Sequence, residues 1–284
     1  EVTIPSTLAT VGYNGAFSGC ANLERVVFAY GMEGIPENSC KEMRGLKEIV
    51  FEADGGQPSK INTIGKAAFA SCEGLECISL PEGLAAIGES AFEDCLALQD
   101  VVLPMSLEEI GRAAFRYCRN LRMVSTGNKI SKVGDYAFYT GSQGDILVDT
   151  QSEAIKSHDW ENDRRTPTFS SASYIAGKSV RAGLFGNGLL AFAGTGEMEN
   201  WTEGTLPWKD ALKRVKSVQI GQGITSLGEW MAAGSAITEV MMGDNVRAIG
   251  SRAFSGCSQL TYIEIGSGVK YIGANAFWAP NMLQ

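Results

Sequence analysis

The amino-acid sequence predicts a repeat solenoid: a right-handed β/α superhelix with a parallel sheet of short strands, short helical turns opposite, and two repeat blocks. The stretch Ile64-Gly65-Lys66-Ala67-Ala68-Phe69, with Cys72, Leu75, Ile78, Leu80 and Pro81, returns 23 residues later. There it reads Ile87-Gly88, Ala91-Phe92, Cys95, Leu98, Val101, Leu103 and Pro104, and it returns again at Ile110-Gly111, Ala114-Phe115, Cys118, Leu121 and Val124. A fixed period of about 20 to 29 residues marks one supersecondary unit per repeat, and stacked units bury a continuous core. Within each unit, the segment after the Leu slot, such as Leu98 to Pro104, alternates like a short strand. The Ile-Gly-x-x-Ala-Phe segment is too short for a full helix and reads as a helical or 3₁₀ turn on the opposite side.

Taken in order, Val2 and Ile4 fill strand slots, Leu8 and Val11-Gly12 the next turn, and Gly15-Ala16-Phe17 the first Phe slot. Cys20, Leu23, Val26 and Phe28 complete that unit. The second repeat keeps apolar slots at Met32, Ile35, Cys40, Met43, Leu46, Ile49 and Phe51 but loses the Gly and the Phe. A Gly-rich insertion around Ala53 to Ser59 then forms a surface loop. Clean repeats follow at Phe69, Phe92 and Phe115, and a weaker one has Ile130, Val133-Gly134 and Ala137-Phe138. The pattern stops after Ile146-Leu147-Val148.

Thr150-x-x-Glu153 fits a capping box, so Thr150 to about Asn162 is expected to form a short helix covering the array's end. Asp163 to Pro167 reads as a linker. Ser179 to Phe185 and Leu189 to Ala193 form a hairpin across Gly186-Asn187-Gly188. Pro207 then opens a helix whose Trp208, Ala211, Leu212 and Val215 share one face. Repeats resume with Val218, Ile220, Ile224, Leu227-Gly228 and Met231-Ala232, then Val246, Ile249-Gly250 and Ala253-Phe254, then Val269, Ile272-Gly273 and Ala276-Phe277. The expected divisions are 1–149 for the first block, 150–178 for capping helix and linker, 179–214 for a hairpin and helix cap, and 215–284 for the second block. Leu283 falls on a Leu slot before its strand, so the natural protein is expected to continue or to pack on something there.

This repeated Ile-Gly-x-x-Ala-Phe-x-x-Cys-x-x-Leu-x-x-Ile-x-Leu-Pro unit resembles that of the BspA-like leucine-rich repeat proteins, a bacterial surface family. The resemblance covers Val2 to Val148 and Val215 to Leu283. Ala193-Gly194-Thr195-Gly196-Glu197-Met198 with Pro207-Trp208 resembles segments that precede such repeats, and Ser152 to Trp160 resembles the family's closing helix. Departures fall at Cys40, Gly141, Gly144, Ala232, Ser235 and Pro280. The resemblance implies an extracellular or cell-surface, secreted protein whose leader and anchor lie outside this chain. It also implies adhesion to host proteins or other cells, and it carries over no catalytic residue and no cofactor.

Composition narrows the function classes. Thirty-two acidic against 24 basic residues give a net charge of −8, with no Lys/Arg stripe to follow a phosphate backbone, so nucleic acid is not an expected partner. No run approaches 18 apolar residues, which argues against membrane insertion by this chain. Of seven cysteines, Cys20, Cys72, Cys95, Cys118 and Cys257 share one repeat slot and read as a buried column rather than a disulfide framework. The single histidine, His158, would have to anchor any Ser/His/Asp site, and one histidine makes a multi-His metal site impossible. It reads instead as a partly exposed capping residue. The pairs Glu108-Glu109 and Glu52-Asp54 sit in no cleft motif that glycosidic acid/base work requires. Gly194-Thr195-Gly196 and Gly186-Asn187-Gly188 lack a phosphate loop's frame.

The sheet face remains the candidate site, because successive strand side chains point to opposite faces. One outward column is Val27, Val50, Ser79, Val102, Ser125, Val148, Met241 and Glu264. Beside it run Arg25, Glu48, Cys77, Asp100, Met123, Ile146, Glu239 and Tyr262. Arg25, Val27, Val50, Cys77, Asp100, Val102, Met123, Val148, Met241 and Tyr262 are the candidate binding residues. The expected partner is a protein on a host or neighbouring cell. The alternatives are a carbohydrate-binding surface protein, with Tyr262, Trp230 and Trp278 around a groove, or a structural stalk with no ligand of its own.

Overall fold

The computed structural model describes residues 1–279 apart from 11, 13–15, 19, 55 and 56. Val11 and Gly15 of the expected first coil, and Pro280 and Leu283 at the other end, lie outside the described residues. The repeats form a β-solenoid of about 11 turns with parallel sheets and little helix. The chain separates into two compact units, Glu1–Thr168 and Phe169–Gln284. Among the described residues no helix is long and apolar enough to cross a membrane.

In the first unit, Val2–Ile4, Arg25–Phe28 and Glu48–Phe51 pair in parallel, as do Cys77–Ser79, Asp100–Val102, Met123–Ser125 and Gly144–Asp149. Opposite them, Gly34–Ile35, Thr63–Ile64, Ala86–Ile87, Glu109–Ile110 and Lys132–Val133 make a second parallel row. The Ile of each Ile-Gly pair is therefore extended, where a helical turn was expected. Only beyond the Gly does the chain turn. Ala68 N–H donates to Gly65 O (3.3 Å) and Ala70 N–H to Ala67 O (3.2 Å), both i→i−3. In alternation with these, Ala67, Phe69 and Ser71 donate to Glu89, Ala91 and Glu93 of the next coil at 2.7 to 2.9 Å. Because every second amide leaves for the neighbour, no helix can propagate, yet each backbone donor is used.

The core is a set of columns. Phe69, Phe92, Phe115 and Phe138 stack face to face with centroids 5.2, 5.3 and 5.6 Å apart. Thiols of Cys72, Cys95 and Cys118 donate to the carbonyls of Cys40 (3.2 Å), Phe69 (3.3 Å) and Phe92 (3.1 Å). Burial pushes the Cys72 thiol up to about 12, so these thiols behave as small apolar groups. Cys20 departs from the expected buried column: it is exposed.

The end of this unit also differs from expectation. The helix is a single turn, Glu153–Lys156, and Ser152 rather than Thr150 caps it, its Oγ accepting from Ile155 N at 3.4 Å. Thr150 Oγ1 instead accepts from Ser152 N (3.0 Å). Trp160 supplies the last ring of the Phe column, stacked on Phe138 at 5.2 Å. The expected linker is partly strand: Arg165–Ile175 runs for 11 residues.

In the second unit the hairpin forms as expected, Val180–Phe185 against Leu189–Gly194, with Ser170 to Ile175 antiparallel on its other side. Leu189–Phe192 then pairs in parallel with Ser217–Ile220, followed by Glu239–Met242 and Tyr262–Glu264. A far-side row comprises Gly196–Glu197, Ile224–Leu227, Ala248–Ile249 and Tyr271–Ile272. The helix after Pro207 is a 3₁₀ segment, Lys209–Arg214. Ahead of it Trp208 is fully buried among Phe192, Trp201 and Tyr174, its Nε1 donating to Met231 O at 2.7 Å. Farther along, Phe254 and Phe277 renew the stack at 5.3 Å.

Candidate interaction face

The strand rows place each candidate side chain by register. Arg25 pairs with Glu48, and Val27 with Thr3 and Val50. Cys77, Asp100 and Met123 share one outward column and Ser79, Val102 and Ser125 the next. In the second unit, Met241 lies between Gln219 and Glu264, and Tyr262 beside Glu239.

Outward register does not mean solvent contact. Arg25, Val50, Cys77 and Met241 are partly exposed and Tyr262 is 53% exposed. Val27, Asp100, Val102 and Met123 are buried, contrary to expectation. Parallel strands stack about 4.8 Å apart, so identical slots one coil above and below close over a mid-array side chain. Val148 is wrong in register as well. It pairs with Val124, a core position, and is wholly buried, and Ile146 is buried with it. The segment Gly141 to Gly144 lengthens that coil by one residue, which moves every following side chain to the other face. Leu147 and Asp149 occupy the outward columns instead, and Asp149 Oδ2 accepts a buried hydrogen bond from Ser125 Oγ at 2.9 Å. The glycines at 141 and 144 were the available signal for that shift.

Charge on these rows is organised coil to coil. Arg25 bridges Glu1 (2.5 Å) and Glu48 (2.8 Å), and Lys47 meets Glu24 at 2.7 Å. Opposite the strands, Glu89 lies 3.0 Å from Lys66 and 3.7 Å from Arg112. Burial raises the Cys77 thiol to about 11, helped by Glu76, Asp100 and Glu48, so Cys77 is a neutral surface thiol.

The BspA type leucine rich repeat model matches in six copies, across residues 1–55, 56–164 and 210–284. The chain belongs to the BspA-type leucine-rich repeat family. The chain is similar to a leucine-rich cell surface protein of Faecalibacterium prausnitzii, 21% identical over 99% of this chain and 86% of that one, TM-score 0.41. A leucine-rich repeat protein of Bacteroides ovatus is 19% identical over 100% and 85%, TM-score 0.33. One from Eubacterium ventriosum is 27% identical but aligns over 36% of this chain and 28% of its own, TM-score 0.33. No curated protein matches. Membership in the BspA-type family suggests a protein-interaction or adhesion module, and this family and fold are typically non-enzymatic.

Elsewhere in this BspA-type repeat protein, the remaining polar candidates have structural partners. His158 is partly exposed as a residue, as expected, but its side chain is 6% exposed, and its Nε2 lies 2.7 Å from Asp163 Oδ2. The same carboxylate oxygen accepts from Phe138 N at 2.8 Å, closing the last coil. Arg165 lies buried alongside, donating to Phe138 O (3.3 Å) and Cys118 O (3.2 Å). Burial lowers its pKa, and Cys118 and Asp163 partly offset that. Among the described residues no group of three or more His, Cys, Asp or Glu could hold a metal ion. Trp160 belongs to the first unit's Phe column and Trp201 with Trp208 to the second unit's core. Tyr262 stands on the strand row, whereas Trp230 and Trp278 stand in the turns, so the three aromatic residues line no common groove.

Proposed function

We propose that this chain is a non-enzymatic recognition or adhesion module of a bacterial cell surface, gripping a protein on a host or neighbouring cell through its strand rows. The observation that supports this most is the mixture held at fixed spacing on rigid strands: Arg25, Val50 and Cys77 in the first unit, Met241 and Tyr262 in the second. Tyrosine, methionine and arginine are the residues enriched in protein interfaces. Side chains pre-ordered on paired backbone lose little further entropy on binding. Repeat arrays commonly use such extended faces.

The test is a binding screen of the whole chain against extracellular-matrix proteins and a glycan array, beside two variants built only at solvent-reachable positions. One carries Val50→Lys and Cys77→Lys, the other Met241→Asp and Tyr262→Asp. Selective binding of a protein that either variant weakens by about tenfold or more, with its melting temperature kept, supports the reading. Equal binding by both variants, or none by the parent chain, overturns it and favours a stalk.

A further inference from the structure

The turn side of the first unit carries a second surface. Along it, each coil repeats the same three slots around the Phe column. Two residues after the Gly, successive coils have Ala67, Ser90, Ala113 and Tyr136; two after the Phe, they have Ser71, Asp94 and Tyr117. One after the Phe come Ala70, Glu93, Arg116 and Tyr139. The first two slots are left-handed, with φ of 50°, 54°, 55° and 58° in one and 60°, 58° and 62° in the other. Small or short polar residues satisfy this backbone in the earlier coils. Left-handed backbone costs about 1 to 2 kcal/mol for any L-residue, and the second unit carries Trp230 and Arg252 in the same slot at φ 62° and 56°, so the rings add surface to these coils rather than buried core.

The rings are grouped. Tyr117 and Tyr139 meet edge to face at 5.6 Å, and Tyr136 meets Tyr139 at 5.7 Å. Guanidinium groups lie beside all three: Arg116 is 4.8 Å from the Tyr117 centroid, Arg112 6.0 Å from Tyr136, and Arg164 6.0 Å from Tyr139. Arg119, Arg112 and Arg164 are exposed, and all three tyrosines are partly exposed. Arg116 is held by Glu93 at 2.6 Å, and Arg164 donates to Gly141 O at 3.2 Å, so both are preset. From Ile110 to Gly144 the sequence has six Lys or Arg and a single acid, Asp135, although Glu89 and Glu93 of the preceding coil pair with Arg112 and Arg116, which among the described residues leaves Arg119 and Arg164 as the arginines without a carboxylate among the ion pairs of this surface.

We propose that this Tyr117-Tyr136-Tyr139 cluster, with Arg112, Arg116, Arg119 and Arg164, is a binding surface for an anionic polysaccharide bearing sulfate or carboxylate groups. Ring faces and edges accept the C–H faces of pyranoses, and arginine forks match sulfate and carboxylate bidentately. An acidic peptide would satisfy the arginines but leave the three grouped rings unexplained. The surface is separate from the strand rows, and neither proposal rests on the other.

The probe is heparin, with neutral dextran and polyglutamate beside it, against the whole chain at two salt concentrations. The variant Tyr117→Ser, Tyr136→Ser, Tyr139→Ala installs residues that earlier coils carry in these slots, so the fold should survive. A second variant carries Arg119→Ser and Arg164→Ser. The expected result is heparin binding that each variant weakens by about tenfold, dextran not bound, and the tyrosine variant still melting cooperatively. No heparin binding by the parent, polyglutamate bound as tightly as heparin, or a tyrosine variant that binds heparin undiminished would each overturn the proposal.

Discussion

A Cβ built on Gly111 would lie 2.6 Å from Gly88 C and 2.7 Å from Glu89 N, while one on Gly88 would meet Gly65 C at 2.8 Å. Neither residue has positive φ, so glycine here sets how closely coils approach. Gly111→Ala should therefore cost about 1 to 3 kcal/mol in urea unfolding, the usual cost of overpacking. An unchanged midpoint would refute the close approach. Ala67 presents the reverse case, a side chain in left-handed backbone at φ 50°. Ala67→Gly should stabilise by a few tenths to about 1 kcal/mol, which a melting curve resolves. The cysteines differ among themselves by burial alone. Iodoacetamide at neutral pH should label exposed Cys20 first, Cys77 slowly, and Cys40, Cys72, Cys95, Cys118 and Cys257 only in denaturant. Early labelling of Cys95, followed by mass spectrometry, would contradict the column.

The coil's elements are individually too short to be stable. Strands of two to four residues persist because each pairs with a strand of an adjacent coil, the inner ones on both sides, and because rings and thiols align from coil to coil. Phe92 touches Phe69 and Phe115 at 5.2 and 5.3 Å, so Phe92→Ala should cost about 3 to 5 kcal/mol and weaken both neighbours' packing. Near-UV dichroism and urea midpoints would read this together. The sequence shows these columns plainly, since a 23-residue period puts Phe under Phe. The end elements are less legible. A Thr150 cap and a Ser152 cap are equally good spellings locally, and the choice of Ser152 follows its Oγ donating to Ile130 O, 22 residues away, at 2.7 Å. The Ile-Gly segment was read as turn for a similar reason: nothing local reveals that a neighbouring backbone pairs with it.

Across the whole molecule, burial of the thiol columns implies alkaline sensitivity. Cys72 is raised from 9.0 to about 12 and Cys77 from 9.0 to about 11, both chiefly by burial. Unfolded thiols ionise while the folded ones stay protonated, so stability is complete below about pH 9 and falls as pH rises through that value towards 11 and 12. Cys72→Ala should melt lower than the parent at neutral pH yet lose less between about pH 9 and pH 10.5. Parallel losses would refute the linkage.

The period and the apolar slots were enough to derive the solenoid and its core columns, because those features repeat and each repeat reports on all the others, and the repeat motif carried the resemblance to the family. Exposure on the strand rows required the tertiary structure. Whether Val27 or Val50, Val102 or Tyr262 reaches solvent depends on what the coils above and below place beside it, and these lie more than 20 residues away in the chain. The same holds for Val148, where one added residue between Gly141 and Gly144 reversed inside and outside, and for Tyr117, Tyr136 and Tyr139, which only coil stacking gathers into one surface.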